Sequence, residues 1–309
     1  MDVVADILAA MRVGQPVAAY TEAYAPWGLR FGHITGAAFH VVLQGTCWLI
    51  ETPDAPASSE PIELGPGDVV LLGRGGAHAL VSAPGVPLTD FSPEKGTTAP
   101  IGRVVLPGKG TRATTICGAY LLQRHRSHPL LKSLPDVLHL TARPGRNPEL
   151  RAMVALLGEE LENQPVGATA VTPSLVDALL VYMLRAWLRD AAQTAGWSAA
   201  LADPVIARAL AVIHEHPARP WTVNQLAATT GLSRAAFARR FTALVGQPPL
   251  TYLTQWRMTT AARLLRETDK PVAQVAGAIG YGSAFAFTKA FRREHDTTPG
   301  NYRATARRT

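Results

Sequence analysis

The spacing of apolar residues changes along the chain and divides it into regions of different predicted structure. Residues 1–13 have apolar positions at helical spacing, which predicts a short amphipathic helix. From about 17 to 125, short apolar runs are separated by Gly and Pro, which is typical of an all-β sandwich or barrel. Helical periodicity returns from 147 to 190, and the chain from Pro204 onward is helical and basic. The apolar face of the first helix consists of Val3, Ile7, Leu8 and Met11.

Two turns are expected within the strand-rich region. Gln44-Gly45 suits a two-residue hairpin, and Gly65-Pro66-Gly67-Asp68 suits a second turn. If Gln44-Gly45 closes a hairpin, Val42 pairs with Cys47. The alternation of side chains then places four residues on one face of a sheet. These residues are His40, Val42, Cys47 and Leu49.

The helical stretch from 147 to 190 carries an apolar stripe with two interpretations. The stripe either forms a homodimer interface or packs inside the monomer. Asp177 and Arg185 interrupt its apolar sequence, so we expect no membrane span. Residues 164–167 and 192–204 are predicted loops. The stripe consists of Leu175, Leu179, Tyr182, Met183 and Ala186.

The C-terminal region contains a diverged internal repeat. Residues match at an offset of 50 in the second half of each copy and 49 before the turn, so the second copy has one extra residue near Gly282-Ser283. Each copy predicts a helix, a turn and a helix, with Ser233 and Ser283 as caps of the second helices. The predicted helices are Val223–Thr230 and Arg234–Leu244, then Val272–Ile279 and Ala284–Arg293, with Leu250–Glu267 joining the copies.

The second helix of each copy is a candidate for entering a major groove, which is about 12 Å wide. Phenylalanines four residues apart share a buried face, which leaves small and basic residues on the other side. Arg239 is the best candidate for reading a base, because Arg pairs bidentately with guanine. Phe285 either contacts a thymine methyl group or packs partly buried. The predicted DNA-binding residues are Ser233, Arg234, Ala235, Ala238, Arg239, Arg240, Ser283, Ala284, Phe285, Thr288, Lys289, Arg292 and Arg293.

Charge is distributed unevenly between the two parts of the chain. Residues 219–309 hold 14 Lys and Arg against 4 Asp and Glu, whereas residues 1–218 hold 16 against 19. A basic domain joined to a nearly neutral one is typical of a polyanion binder, although a solvated basic surface has the same composition. The two cysteines are too few for a disulfide scaffold and fit a reducing cytosol. The first residues lack the basic and apolar regions of a signal peptide, so we expect a cytoplasmic protein.

The segment from Trp221 to Arg303 closely resembles the AraC/XylS family of bacterial regulators. The resemblance rests on WTVNQLA, GLSRAAFARRFTALVGQPPLTYL, WRMTTAARLL, VAQVAGAIGYGSAFAFTKAFRRE and TPGNYR. It implies two recognition helices in adjacent major grooves of double-stranded promoter DNA. The base-contacting positions of the family fall on Ala235, Ala238, Arg239, Ala284, Phe285 and Lys289. The sequence departs from the family at His295-Asp296, where Phe-Gly is common, and at Ala284, where a polar residue is common.

The N-terminal half resembles, less specifically, the cupin-type sensor domain of some AraC regulators. The supporting segments are FHVVLQGTCWL, ELGPGDVVLLGRGGAHAL, ICGAYLL and HPLLKSLPDVLHL. We therefore expect a multidomain α and β chain. A cupin-like β-barrel at 1–140 would be the sensor, 141–200 a helical linker or dimerisation region, and 204–309 an all-α domain with two helix-turn-helix motifs.

Four residues could place chemistry in the barrel. His40, Cys47, His78 and Cys117 could form a site for zinc or another divalent metal. A cysteine near a histidine could instead be a low-pKa redox sensor, or the four could simply be core residues. Metal-dependent cupin enzymes usually have a His-x-His pair, and Val42 occupies the second position here, which argues against an enzyme. The remaining histidines nearby are expected at the surface or between domains; they are His125, His128 and His139.

The leading hypothesis is a sequence-specific transcription regulator and not an enzyme. Its barrel would sense a small molecule, a metal or a redox signal, and its partners would be promoter DNA, a second copy of the chain and RNA polymerase. One alternative is a metal-dependent cupin enzyme fused to a DNA-binding domain. Another is an architectural protein that binds DNA without sequence preference.

Overall fold

The chain folds into two compact units whose segments are interleaved in sequence. The computed structural model describes residues 2–51, 60–91, 101–122, 128–142, 145–191 and 196–306. The sheet unit consists of Val13–Leu122 and Leu134–Asp190. The helical unit consists of Met1–Arg12, Gln123–Ser133 and Ala191–Thr309. The predicted divisions 1–140, 141–200 and 204–309 differ from these units, because residues 141–190 lie with the strands and two segments before residue 134 lie with the C-terminal helices.

Eleven strands of the described residues form two sheets in the sheet unit. They are β1 (Val17–Tyr24), β2 (Gly28–Phe31), β3 (Gly36–Gln44), β4 (Cys47–Glu51), β5 (Ile62–Leu64), β6 (Val69–Leu72), β7 (His78–Val81), β8 (Thr89–Asp90), β9 (Ile101–Leu106), β10 (Arg112–Leu121) and β11 (Leu138–Leu140). One sheet has the order β11-β6-β3-β10-β1-β9, and the other has the order β5-β4-β7-β2-β8. Apolar residues of both sheets share one core, among them Ala38, Leu49 and Leu80. The predicted barrel is therefore a sandwich of two sheets, and within the described chain neither sheet closes on itself.

The predicted hairpin at Gln44-Gly45 is wrong. Gly45 has a φ of 73°, which fits a turn, but the turn carries the chain from one sheet to the other. Strand β3 already pairs with β10 on one side and β6 on the other, so it has no free edge for β4. Cys47 pairs with Leu64 instead of Val42. The second predicted turn is confirmed, since Asp68 N–H donates to the Gly65 carbonyl at 3.0 Å between β5 and β6.

Helices form where the periodicity predicted them, with two additions. The described helices are α1 (Val3–Met11), α2 (Pro129–Lys132), α3 (Pro148–Asn163), α4 (Ala168–Ala191), α5 (Trp197–Ala202), α6 (Pro204–Glu215), α7 (Val223–Thr230), α8 (Arg234–Val245), α9 (Pro249–Glu267), α10 (Val272–Ala278), α11 (Ala284–His295) and α12 (Pro299–Ala306). Short helices α2 and α5 were not expected. Helix α5 lies inside the predicted 192–204 loop, where Trp197 and Ala200 are buried at helical spacing. Residues 192–195 of that loop lie outside the described residues.

Helices α3 and α4 belong to the sheet unit. The Tyr120 hydroxyl on β10 donates to the Val176 carbonyl on α4 at 2.7 Å, which fastens this helix to the unit. Leu179, Met183 and Ala186 of the apolar stripe are buried within the monomer, whereas Leu175 and Tyr182 are half-buried.

Helix α4 is also long and apolar enough, by length and composition, to cross a membrane. However, 44% of that window is buried inside the protein, and core helices of soluble proteins meet the same criterion. The absence of a membrane span stays a prediction.

The helical unit contains the two predicted helix-turn-helix copies. Helices α7 and α8 form the first, α10 and α11 the second, and α9 joins them. Their boundaries agree with the predicted ones to within two residues. The predicted buried phenylalanines are all fully buried; they are Phe237, Phe241, Phe287 and Phe291. Helix α1 packs against α6 and α9 of this unit, with its predicted apolar face buried.

Candidate nucleic-acid interface

Helix α8 presents a cationic face to solvent. The Ser233 hydroxyl accepts a hydrogen bond from Ala236 N–H at 3.3 Å, which caps the helix as predicted. Arg234, Ala235 and Arg239 are exposed, and Ala238 is half-buried. Neither Arg234 nor Arg239 makes a hydrogen bond or an ion pair with another residue of the described chain. Their guanidinium groups are therefore available to a ligand.

Arg240 is held differently from its two neighbours on α8. Its Nη2 and Nε atoms lie 2.5 and 2.7 Å from Asp203 Oδ2. Asp203 also caps α6 by accepting from Val205 and Ile206 N–H. Although burial opposes it, hydrogen bonds from Ile206 N–H and Arg240 hold the pKa of the Asp203 carboxyl below its ordinary value. The ion pair fixes α8 against the start of α6, so Arg240 positions the helix whether or not it also contacts DNA.

Arg257 of α9 likewise makes structural contacts. Its Nε donates to the Pro217 carbonyl at 2.6 Å, and its Nη2 donates to the Arg219 carbonyl at 2.9 Å. These bonds secure the connection between α6 and α7. Arg257 therefore holds the first helix-turn-helix copy in place.

Helix α11 presents an aromatic side chain where α8 has alanine. Ser283 caps this helix by accepting from Ala286 N–H at 3.1 Å. Phe285 corresponds to Ala235 in the repeat and is 82% exposed, so the alternative of a partly buried packing role is excluded in the free protein. Lys289, Arg292 and Arg293 are also exposed, whereas Ala284 and Thr288 are half-buried. The surface of α11 thus combines one large apolar group with several cations.

The departure from the family sequence at His295-Asp296 has a local structural explanation for each residue, whereas nothing in the structure explains Ala284. The His295 ring stacks on Phe291 with centroids 4.3 Å apart, so it packs where an aromatic residue is common. Asp296 ends α11 with a φ of 55°, the left-handed conformation that glycine adopts most easily. Both substitutions preserve the shape of the second copy.

Inside the sheet unit, His40 and His78 form a buried pair. Their Nε2 atoms are 2.6 Å apart, and the Phe31 ring stacks on His78 at 4.9 Å. His78 Nδ1 lies 2.7 Å from the Gly76 carbonyl, which can only accept, so Nδ1 carries the proton and Nε2 accepts from His40. Burial lowers the pKa of both rings, which keeps them neutral. The pair is a hydrogen bond between neutral imidazoles, and the buried His40 Nδ1 has no partner among the described residues.

The two cysteines are buried thiols in the same sandwich interior. Burial raises the pKa of Cys47 to about 12 and that of Cys117 to about 11. This direction of the pKa argues against the alternative of a low-pKa redox sensor, because a neutral thiol is a poor nucleophile. His40 and Cys117 are direct partners across β3 and β10, yet no three His, Cys, Asp or Glu side chains within the described ranges form a group that could hold a metal ion. The four predicted metal ligands share an interior, but the structure joins only His40 and His78.

The sequence reasoning missed a polar cluster in the core of the helical unit. The prediction that His128 lies at the surface or between domains is wrong: its ring is buried, and its Nε2 lies 3.0 Å from Tyr252 Oη. The same hydroxyl lies 2.6 Å from His214 Nε2, and the His214 ring stacks on Trp256 at 3.8 Å. The apolar pair after His128 in HPLLKSL was the available signal of burial. His139 is half-buried and lies 3.2 Å from Asp68, and His125 lies outside the described residues.

Comparisons with known proteins match both halves of the chain. A family model described as "Cupin" matches residues 2–189, and one described as "Helix-turn-helix domain" matches residues 226–305. A putative AraC-like transcription regulator of Streptomyces lividans is 35% identical over 98% of both chains. A protein with the same description from Streptomyces antibioticus is also 35% identical over 98% of both chains. Among solved structures, the DNA-binding domain of AdpA in complex with a target DNA is 38% identical over 34% of this chain and 95% of that chain, with a TM-score of 0.33.

Proposed function

The chain belongs to the AraC-like family of transcription regulators and carries a cupin-type N-terminal domain, and from this premise we propose that it recognises promoter DNA through α8 and α11 and responds to a small molecule. The relatives are regulators, and nothing in the comparisons supports a metal-dependent cupin enzyme. The observation that carries the proposal is the pair of capped helices with exposed cationic faces on one compact unit.

The exposed residues divide into groups with different expected roles. Arg239 is exposed and would pair with a guanine edge, and Phe285 would contact a thymine methyl group. Arg234, Lys289, Arg292 and Arg293 would contact phosphates, which position the protein without reading sequence. The ion pair of Arg240 with Asp203 supports a positioning role for this residue.

The proposal extends to partners and location. A homodimer is supported by the half-exposed Leu175 and Tyr182 and by the exposed Val171 on α4. Sedimentation of the full chain tests it, and a monomer at micromolar concentration would exclude it. A regulator of promoters also needs access to RNA polymerase and to the chromosome, which supports a cytoplasmic location.

The decisive experiment selects genomic fragments that bind the full-length chain and then footprints the best site. Arg239→Ala is expected to relax preference at one base position by about 1–3 kcal/mol. The control is Lys109→Ala, which removes one exposed cation from the sheet unit and should leave the base preference unchanged. Binding without sequence preference would refute the specific regulator and favour an architectural protein. Uniform weakening by Arg239→Ala would make that residue a phosphate contact.

A further inference from the structure

Helix α3 and the six-stranded sheet border a cavity of about 580 Å³ within the sheet unit. Tyr20 and Thr114 line it; Tyr20 lies three residues before Ala23 of the sandwich interior, and Thr114 directly follows Ala113 of that interior. Because strand side chains alternate, Tyr20 and Thr114 point to the opposite side of the sheet. Neither His40 nor His78 lines the cavity. Its volume is in the range of small-molecule sites.

A buried hydroxyl marks the cavity as polar at one point. Thr114 is 2% exposed, and its Oγ1 has no hydrogen-bond partner among the residues that the structure describes. Buried polar groups without partners are destabilising and uncommon. A ligand in the cavity that hydrogen-bonds with Thr114 would remove this penalty.

A glycine in the middle of α3 provides the space. Glycine is unfavourable in a helix interior, yet Gly158 lies within α3 and lines the cavity. A Cβ atom at this position would lie 3.0 Å from Leu43 Cδ2, which is closer than ordinary contact. A larger side chain at 158 would fill the space between the helix and the sheet.

The charges around the cavity indicate the ligand class. Arg151, Glu159 and Glu162 line it from α3, and none of them makes an ion pair with another described residue. Glu159 and Glu162 stand in the last turns of the helix, where the backbone dipole adds further negative potential. The balance of two carboxylates against one guanidinium favours a cation.

We propose that this cavity binds a small amphipathic amine. Its apolar body would pack against Tyr20, Leu43 and Val154, and its ammonium group would lie near Glu159 and Glu162. Binding of the amine is inferred from the cavity and does not depend on the proposed function. Only an effect of the amine on DNA affinity rests on the proposed function.

Three fluorescent probes with one aromatic body test the ligand class on the full-length chain without DNA. These probes are 1-naphthylmethylamine, 1-naphthalenemethanol and 1-naphthoate. We expect saturable binding of the amine, with at least tenfold weaker binding of the carboxylate. Glu159→Gln combined with Glu162→Gln should remove the preference for the amine. Glu160→Gln is the matched control, because this residue of α3 does not line the cavity.

Two further variants test the location. Gly158→Leu should abolish binding of all three probes, with folding checked by circular dichroism. Thr114→Val keeps the side-chain shape and should weaken binding of the amine and of the alcohol several-fold. This variant tests the location even if Gly158→Leu does not fold. The proposed site is wrong if none of the three probes binds, or if both variants bind them with unchanged affinity. The proposed ligand class is wrong if the amine and the carboxylate bind with equal affinity. A separate footprint with and without the amine measures its effect on DNA binding, so failure of either proposal is seen independently.

Discussion

Replacing Tyr252 by Phe removes one hydroxyl from the core of the helical unit and breaks a directed chain of hydrogen bonds. Leu130 N–H donates to His128 Nδ1 at 3.2 Å, so the proton of this ring is on Nε2. His128 Nε2–H donates to Tyr252 Oη, and the tyrosine donates its own proton to His214 Nε2. Burial raises the pKa of Tyr252 well above its ordinary value, so the hydroxyl keeps this proton.

The magnitude follows from the two groups that lose their partner. His128 Nε2–H and His214 Nε2 would both stay buried, because the aromatic rings around them remain in place. A buried polar group without a partner costs about 1–3 kcal/mol. Tyr252→Phe should therefore lower the free energy of unfolding of the helical unit by about 2–6 kcal/mol.

Hydrogen exchange of the full-length chain measures this loss locally. Peptides from α6 and α9 should exchange faster in Tyr252→Phe, while peptides from the sheet unit serve as an internal reference. The control is Tyr182→Phe, since the half-buried Tyr182 makes no hydrogen bond with another described residue and should change stability by less than about 0.5 kcal/mol. A loss in Tyr252→Phe no larger than in the control would refute the hydrogen-bond chain.

Three other predictions concern the same unit. Burial lowers the pKa of His214 to about 3 from 6.5, so the unfolded chain binds a proton that the folded chain does not, and this group alone should lower stability by about 1.4 kcal/mol per pH unit below pH 6.5. Burial also lowers the pKa of His128, which acts in the same direction. Urea unfolding between pH 7 and 5 measures the slope, and a flat profile contradicts the prediction. Phe285→Ala should weaken DNA binding several-fold and change the free energy of unfolding by less than about 0.5 kcal/mol, because Phe285 is exposed. Phe287 is buried, so Phe287→Ala should lower the free energy of unfolding by about 3–5 kcal/mol. Gel shifts and unfolding curves of both variants separate the two roles. A fragment of residues 204–309 lacks α1, α2 and α5, so it should unfold at a lower urea concentration than the helical unit of the whole chain. An equal urea midpoint would show that these three helices contribute nothing to the stability of the unit.

The DNA-binding helices could be predicted because their signals are local. Ser233 and Ser283 cap helices, Gly231 adopts the left-handed conformation at the end of α7, and the phenylalanines repeat at i and i+4. Alternation along each strand also grouped His40 with Val42 and Cys47 with Leu49, although these two pairs lie on different sheets and not on one face of a single sheet as predicted. These features depend on a few neighbouring residues, which the sequence displays directly.

The features that could not be predicted depend on distant parts of the chain. Whether β4 pairs with β3 depends on β6 and β10, which occupy both edges of β3 and follow it in sequence by many residues. The burial of His128 depends on Tyr252, which lies 124 residues further on. Likewise, the available cation Arg239 and the ion-paired Arg240 are adjacent in sequence, and only the position of Asp203 distinguishes them.

Helix α1 packs in the helical unit against residues that are synthesised much later than α1 itself. Arg266 Nη2 donates to the Ala10 carbonyl at 2.8 Å across a separation of 256 residues. Ribosomes add about 5–20 residues per second, so Arg266 of α9 is synthesised about 13–50 s after the residue of α1 that it contacts. Until both α6 and α9 have been synthesised, the native surface that covers Ile7 and Met11 is incomplete. The nascent chain therefore offers chaperones an apolar segment in α1 that is covered only when α9 has been synthesised.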